Sequence, residues 1–348
     1  MDDGALAAFL DAAIDAQARA AARVPTFATD IALGPAHARL HAAGQPMHDR
    51  LTGMLVLPAG PVPHETPAAR LVAFDTATSG VPMPAPPWGP DAYRPGHEID
   101  GLRHGRFLGS YVVEHAALTL YDRERELGLY WARDGPALSA CQEAAPLRNV
   151  LRWIAMDRGA HLVHAAAVGA GGDGVLILGA KGAGKSTTSL ACMFEGLEFV
   201  ADDFCLLARD DDGWRATPLT HTARVTEETL ALLPALRERI TNHGAPADHK
   251  AEVTVADHLA GGLLVRALAT PVRAPVTAPA RPVDRVTFVR AVLAGTIGVF
   301  PGMSEETLRF LVRMSERLPC FVLPIGPDLA GAGETVTDLL AAQRSATA

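Results

Sequence analysis

Residues 179–187 read Gly179-Ala180-Lys181-Gly182-Ala183-Gly184-Lys185-Ser186-Thr187, and this stretch decides the fold. It matches G-x-x-x-x-G-K-[ST], the pattern of a phosphate-binding loop. Glycines let successive backbone N–H groups turn toward one anion, and a following helix adds its positive end. Lys185 is placed to reach β- and γ-phosphates, and the Ser186 hydroxyl to ligate Mg²⁺. The apolar run Val175–Leu178 before the loop predicts a strand, and residues 185–195 predict a helix. The chain holds three lysines, Lys181, Lys185 and Lys250, so two of them fall inside this loop. The other 28 of its 31 basic residues are arginine.

Upstream, His161–Val168 reads as an apolar strand and Gly169–Gly174 as a glycine-rich turn. A parallel crossover needs about a dozen residues or more, so these two strands are antiparallel neighbours. Downstream, Glu198–Asp202 reads as a strand that ends in Val200-Ala201-Asp202-Asp203. A phosphate-loop enzyme needs an acid there to hold Mg²⁺ directly or through water. Two adjacent acids diverge, so one serves the metal and the other the nucleophile. The two asparagines, Asn149 and Asn242, are not followed by lysine. Without an Asn-Lys-x-Asp guanine reader, ATP is the expected donor rather than GTP. The absence of a His-Arg-Asp motif argues against a eukaryotic-type protein kinase.

The segment from His164-Ala-Ala-Ala-Val through the loop to Phe199-Val-Ala-Asp-Asp203 resembles the HPr kinase/phosphorylase family. That family shares its fold with ATP-dependent phosphoenolpyruvate carboxykinases. The resemblance implies an α/β fold, a mixed-sheet P-loop kinase core with an antiparallel strand beside the loop strand. With the strand Pro319-Cys320-Phe321-Val322-Leu323, the arrangement is more similar to HPr-kinase-related serine kinases of peptide-tailoring clusters, lasso-peptide pathways among them. The likeness covers residues 161–205 and is loose elsewhere. It implies that Gly179 to Thr187 bind the phosphates of ATP, and that Ser186 and Asp203 serve Mg²⁺. It implies that Asp202 accepts the proton of the substrate hydroxyl, with His164 near the reacting phosphate and Lys185 holding charge. Arg224 and Lys250 stand where related proteins carry basic residues. The family's signature segment after the aspartate pair is missing, which argues against a reverse, phosphorolytic activity and against HPr as substrate. Homo-oligomers also occur among such kinases.

The remaining chain bounds these readings. A net charge of −8 over 348 residues, with 49% apolar and 20% charged residues, fits a soluble globular protein and no nucleic-acid partner. The prior at this length is two domains. Residues 1–145 read as a β-rich N-terminal domain, a candidate for substrate recognition, and 146–348 as the catalytic domain. An amphipathic helix with Leu6, Phe9, Leu10, Ala13 and Ile14 opens the chain. Residues 25–50 read as irregular, 51–57 and 69–75 as strands, and Pro82 to Pro95 as a loop. A meander over 107–113, 117–121 and 127–131 follows. Residues 146–158 read as a helix with Pro146 in its first turn. Thr226 caps a helix to about Arg239, 269–284 is a linker, and 286–293 a strand. Ser304 caps another helix, and Thr335–Gln343 closes the chain. His64, His97, His104 and His115 have no metal-site spacing. Cys141, Cys192, Cys205 and Cys320 form no CxxC pair, which predicts a reducing, cytoplasmic setting. No signal peptide or membrane span is expected.

These features predict an ATP- and Mg²⁺-dependent kinase acting on a serine-type hydroxyl of a peptide or protein, such as a lasso-peptide precursor. A small-molecule kinase on the same fold and a nucleotide-gated ATPase or binding module are the alternatives. A loop that binds no nucleotide is the remote one.

Overall fold

A computed structural model describes residues 1–58, 67–95, 97–138, 146–243, 250–296 and 305–347. His64, Cys141 and Ser304 lie outside these ranges. The chain divides between Ala160 and His161 into two compact units, each mixing helices and strands.

In the first unit the Asp2 carboxylate accepts the Ala5 N–H at 3.0 Å and so caps α1 (Asp3–Ala21). Leu6, Phe9, Leu10 and Ala13 of α1 are buried against Val72, Phe74, Leu118 and Leu120 of a sheet. The sheet has eight strands: β1 (Thr26–Leu33), β2 (Ala36–Ala43), β3 (Ala69–Asp75), β4 (Tyr93–Arg94), β5 (Glu98–Ile99), β6 (Phe107–Val112), β7 (Ala117–Asp122) and β8 (Leu127–Ala132). Their order is β1-β2-β3-β8-β7-β6-β5-β4, parallel at β2–β3 and β3–β8. The expected meander is present as β6–β7–β8. Residues 25–50 are not irregular. They form the β1–β2 hairpin and part of α2 (Gln45–Thr52). Residues 51–57 are not a strand either, because α2 runs through Thr52.

The helix expected over 146–158 is α3 (Arg148–Asp157), and Pro146 precedes it. It belongs to the first unit, so the division falls about one helix later than the expected boundary at 145/146. Asn149 Nδ2 donates to Ser110 Oγ at 2.9 Å on β6.

The second unit is built on a mixed nine-stranded sheet. Its strands are β9 (Ala160–Val163), β10 (Ala166–Ala170), β11 (Asp173–Ile177), β12 (Glu198–Ala201), β13 (Cys205–Arg209), β14 (Trp214–Pro218), β17 (Leu263–Arg273), β18 (Arg281–Pro282) and β19 (Cys320–Ile325). A separate antiparallel pair joins β15 (Thr222–Val225) to β16 (Ala251–Thr254). β10 and β11 form the antiparallel hairpin expected from the short turn, with Ala170 opposite Asp173. β11 then runs parallel to β17.

The helices here are α4 (Lys185–Phe194), α5 (Glu227–Leu232), α6 (Arg285–Thr296), α7 (Glu305–Arg317) and α8 (Ala332–Thr347). Val175 and Ile177 face a core shared with Leu190 of α4 and Val336 of α8. Leu176 and Leu178 face another, shared with Phe288 of α6 and Met314 of α7. Burial on both faces is why this strand reads as a continuous apolar run.

Three expectations are corrected here. The single strand over 161–168 breaks at His164 and Ala165 into β9 and β10. The linker over 269–284 begins as strand, because β17 continues to Arg273. The strand over 286–293 is helix α6, whose Thr287 N–H donates to Asp284 Oδ1 at 3.0 Å and which buries Phe288 and Val292 four residues apart. Pro271 is tolerated inside β17 because of its parity. Ala269 accepts the Leu178 N–H, so Pro271 turns the same way, past the end of β11, where no ladder bond is required.

Candidate active site

The glycine-rich loop leaves β11 and enters α4. Gly182 and Gly184 take φ of +83° and +94°, which side chains with a Cβ rarely adopt. No side chain caps α4, so the first N–H groups of that helix stay available to an anion. Lys185 folds back along the loop, and its Nζ donates to the carbonyls of Gly179 at 3.0 Å and Ala180 at 3.4 Å. Burial pushes the Lys185 ammonium below its usual range, with Asp202 and Asp203 working the other way.

The two aspartates after β12 have different surroundings. Asp202 is 3% exposed. Its Oδ1 accepts from Ser189 Oγ at 3.5 Å and its Oδ2 from the Arg224 N–H at 3.2 Å. Burial and the neighbouring Asp203 charge push its pKa up to about 6, while a hydrogen bond from the Ser186 hydroxyl opposes them. Asp203 points the other way. Its Oδ1 lies 2.8 Å from His164 Nε2. Burial acts to raise the Asp203 carboxyl, but the His164 bond and charge outweigh it and hold it below the usual range. His164 sits in the break between β9 and β10. Its Nδ1 is buried and finds no hydrogen-bond partner among the described residues.

A cleft of about 470 Å³ connects these groups. Lys181, Gly182, Ala183, Gly184, Lys185, Ser186 and Thr187 line it, together with His164, Asp203, Arg224 and Lys250. Arg224 and Lys250 are 26 positions apart in sequence and converge through pairing of β15 with β16, where Arg224 lies opposite Glu252. Gly179 and Ala180 lie beneath the Lys185 side chain, and Asp202 is buried next to the cleft rather than lining it.

Sequence reading missed other residues of the cleft lining. There Thr187 Oγ1 meets Thr229 Oγ1 at 2.9 Å, joining α4 to α5, and Arg273 Nη2 donates to Glu228 Oε1 at 2.7 Å. Thr226 caps α5 as expected, but that helix stops at Leu232 before Pro234 and a 3₁₀ segment over Pro234–Arg239 follows. Thr229 stands three residues after the cap, and that spacing was the available signal. Leu329 also lines the cleft, with φ of +63°, a conformation costing roughly 1–2 kcal/mol for a residue with a Cβ.

Ser186 and the aspartates offer only hard oxygen donors, and Mg²⁺ typically takes one or two carboxylates plus substrate phosphates. Among the described residues no group of three or more His, Cys, Asp and Glu could hold a metal ion. No described helix is long and apolar enough to cross a membrane.

No protein-family model matches the chain. No curated protein matches it either. Among solved structures, the Hpr(Ser) kinase/phosphatase from Coxiella burnetii is similar at 15% identity and a TM-score of 0.28, over 54% of this chain and 98% of that one. At these values the similarity is a distant fold relationship only, and the reading of function rests on the geometry of the cleft.

Proposed function

We propose that the chain is an ATP- and Mg²⁺-dependent kinase that transfers the γ-phosphoryl group to a serine-type hydroxyl of a peptide or protein. One observation carries this reading. A single cleft joins an uncapped glycine-rich loop with Lys185 and Ser186 to a carboxylate–imidazole pair flanked by two further cations.

The loop N–H groups and Lys185 hold the phosphates, and Arg224 and Lys250 take up charge on the transferring group. In this reading Asp203, which lines the cleft, takes the hydroxyl proton, the role that the family resemblance gives to Asp202. His164 orients the Asp203 carboxylate. The acceptor oxygen bonds to the γ-phosphorus, its proton passes to Asp203, and the bond to the β–γ bridging oxygen breaks with ADP as leaving group. Ser186 and Asp202 would hold Mg²⁺, which when bound neutralises phosphate charge.

The test is intact-mass analysis of candidate peptides and proteins after incubation with ATP and Mg²⁺. A gain of one phosphoryl group on a serine, lost in Asp203→Asn, is expected. Stoichiometric ADP release with no phosphorylated product from any acceptor would sink the kinase reading and favour a nucleotide-gated module.

A further inference from the structure

Lys250 reaches the cleft from the residue just before β16. A lysine head sits on a long flexible stem, so it is only as well placed as the backbone beneath it. Lys250 is close enough for its charge to act on Lys185, Asp202 and Asp203. Whatever fixes the start of β16 therefore bears on this whole charged group.

On one side β16 pairs with β15, with Val225 opposite Ala251, and that ladder ends before Lys250. On its other side runs the chain at 240–242. Ile240 makes an antiparallel bridge with Val253, and the Thr241 N–H donates to the Glu252 carbonyl at 2.8 Å. Asn242 continues the pairing with its side chain. Its Oδ1 accepts the Glu252 N–H at 2.8 Å, and its Nδ2 donates to the Lys250 carbonyl at 3.2 Å. In a strand the carbonyl of one residue and the N–H two residues on point the same way, so one carboxamide meets both where a peptide unit would. The other cation has a matching tie, because the Arg224 N–H donates to Asp202 Oδ2 at 3.2 Å. Asn242 does not itself line the cleft.

We propose that Asn242 is a positioning residue for the phosphate site, whose side-chain amide fixes the main chain of Lys250 and so aims the Lys250 ammonium at a bound polyphosphate. The inference rests on the reading that this cleft takes the phosphates of ATP, and deepens it. Asn242 carries no charge and acts only through Lys250. Its loss matters while the lysine is present and not once the lysine is gone.

A double-mutant cycle read by calorimetric titration with inorganic tripolyphosphate in Mg²⁺ tests this on the full chain. Lys250→Met should weaken binding by about tenfold, the scale of one charged hydrogen bond. Asn242→Ala should weaken it by about fivefold. The double variant should match Lys250→Met within about twofold, since the two losses are one interaction. A merely structural role would weaken binding by the same factor in both backgrounds. β16 keeps β15 and Thr241 as main-chain partners, so Asn242→Ala should fold, and the urea midpoint checks it. If that midpoint collapses, Asn242→Ser takes its place in the cycle with the same expectation. Wild-type affinity in the Asn242 variant, wild-type affinity in Lys250→Met, or multiplying losses in the double variant would each overturn the positioning role alone. A wild-type chain that binds no tripolyphosphate would instead overturn the phosphate-site reading, and this inference with it.

Discussion

Asp122 in the first unit and Asp202 in the second are both buried acids at strand ends, yet they are managed in opposite ways. Asp122 is fully buried and accepts the Arg106 fork at 2.9 and 2.8 Å. Burial acts to raise its pKa, but Arg106 and two backbone N–H groups win and hold it down. Asp202 has hydroxyls and one backbone N–H around it and no ion pair among the described residues, and its pKa rises. The first unit neutralises its buried charge locally, while the second concentrates partly compensated charge around one cleft. Groups poised this way make the second unit the candidate for chemistry, whereas the fully paired Asp122 is part of the architecture.

Substitutions should separate the two regimes. Asp203→Asn should cut phosphoryl transfer by about 10²–10⁴-fold, the range for a general base, while the unfolding midpoint in urea stays close to wild type. Unchanged transfer would remove Asp203 from the chemistry. Asp122→Asn should do the reverse, since breaking a buried pair costs about 3 kcal/mol. Urea unfolding would register that loss, with the ATP dissociation constant preserved by the folded fraction.

His161 adds a pH test. Burial, helped by the Arg313 charge, lowers its pKa to about 4 from 6.5. Below pH 6.5 the unfolded chain takes up a proton that the folded chain refuses until about pH 4, so stability falls as pH falls through that window. The shift corresponds to at most about 3 kcal/mol. Its ring stacks on Phe310 at 3.8 Å, so His161→Phe should keep the packing and flatten the acid limb of Tm against pH. An identical slope in the variant would show that other groups set it. The smallest effect belongs to Asp30, one-fifth exposed and paired at 2.8 Å with the more exposed Arg39. Asp30→Asn should cost less than about 1 kcal/mol, and less still in high salt. A larger loss would mean the first unit depends on its surface pairs.

The legible parts were those where local chemistry and tertiary packing agree. The loop, the β10–β11 hairpin, the β6–β7–β8 meander and the Thr226 cap follow from glycine, turn length, alternation and a capping hydroxyl. β1 and β2 were missed because Thr26–Leu33 and Ala36–Ala43 carry alanine and histidine where strands favour branched side chains. The run from Val286 misled in the other direction. Its Val, Thr and Phe suggest a strand, but the Asp284 cap and the Phe288–Val292 spacing make a helix. In the site, the loop and the aspartates were visible as motifs. Which aspartate faces the cleft was not, because that depends on the break at His164. Thr229, Arg273 and Leu329 of the cleft lining were invisible because they come from three distant segments.

The pairing of β11 has a kinetic consequence. On one side it joins β10 through a turn of two residues, Gly171 and Gly172. On the other it joins β17, where Asp173 lies opposite Leu264, about 90 residues further along the chain. Closing so long a loop carries an entropic cost before any contact offsets it, so the hairpin should form early and the β17 edge late. Pulsed hydrogen exchange should protect the amides of β10 and β11 before those of β17. The glycine-rich loop at the end of β11 then waits on β17 for its second neighbour, because the Leu178 N–H donates to the Ala269 carbonyl, and a ligand that needs the finished loop would slow unfolding rather than speed folding.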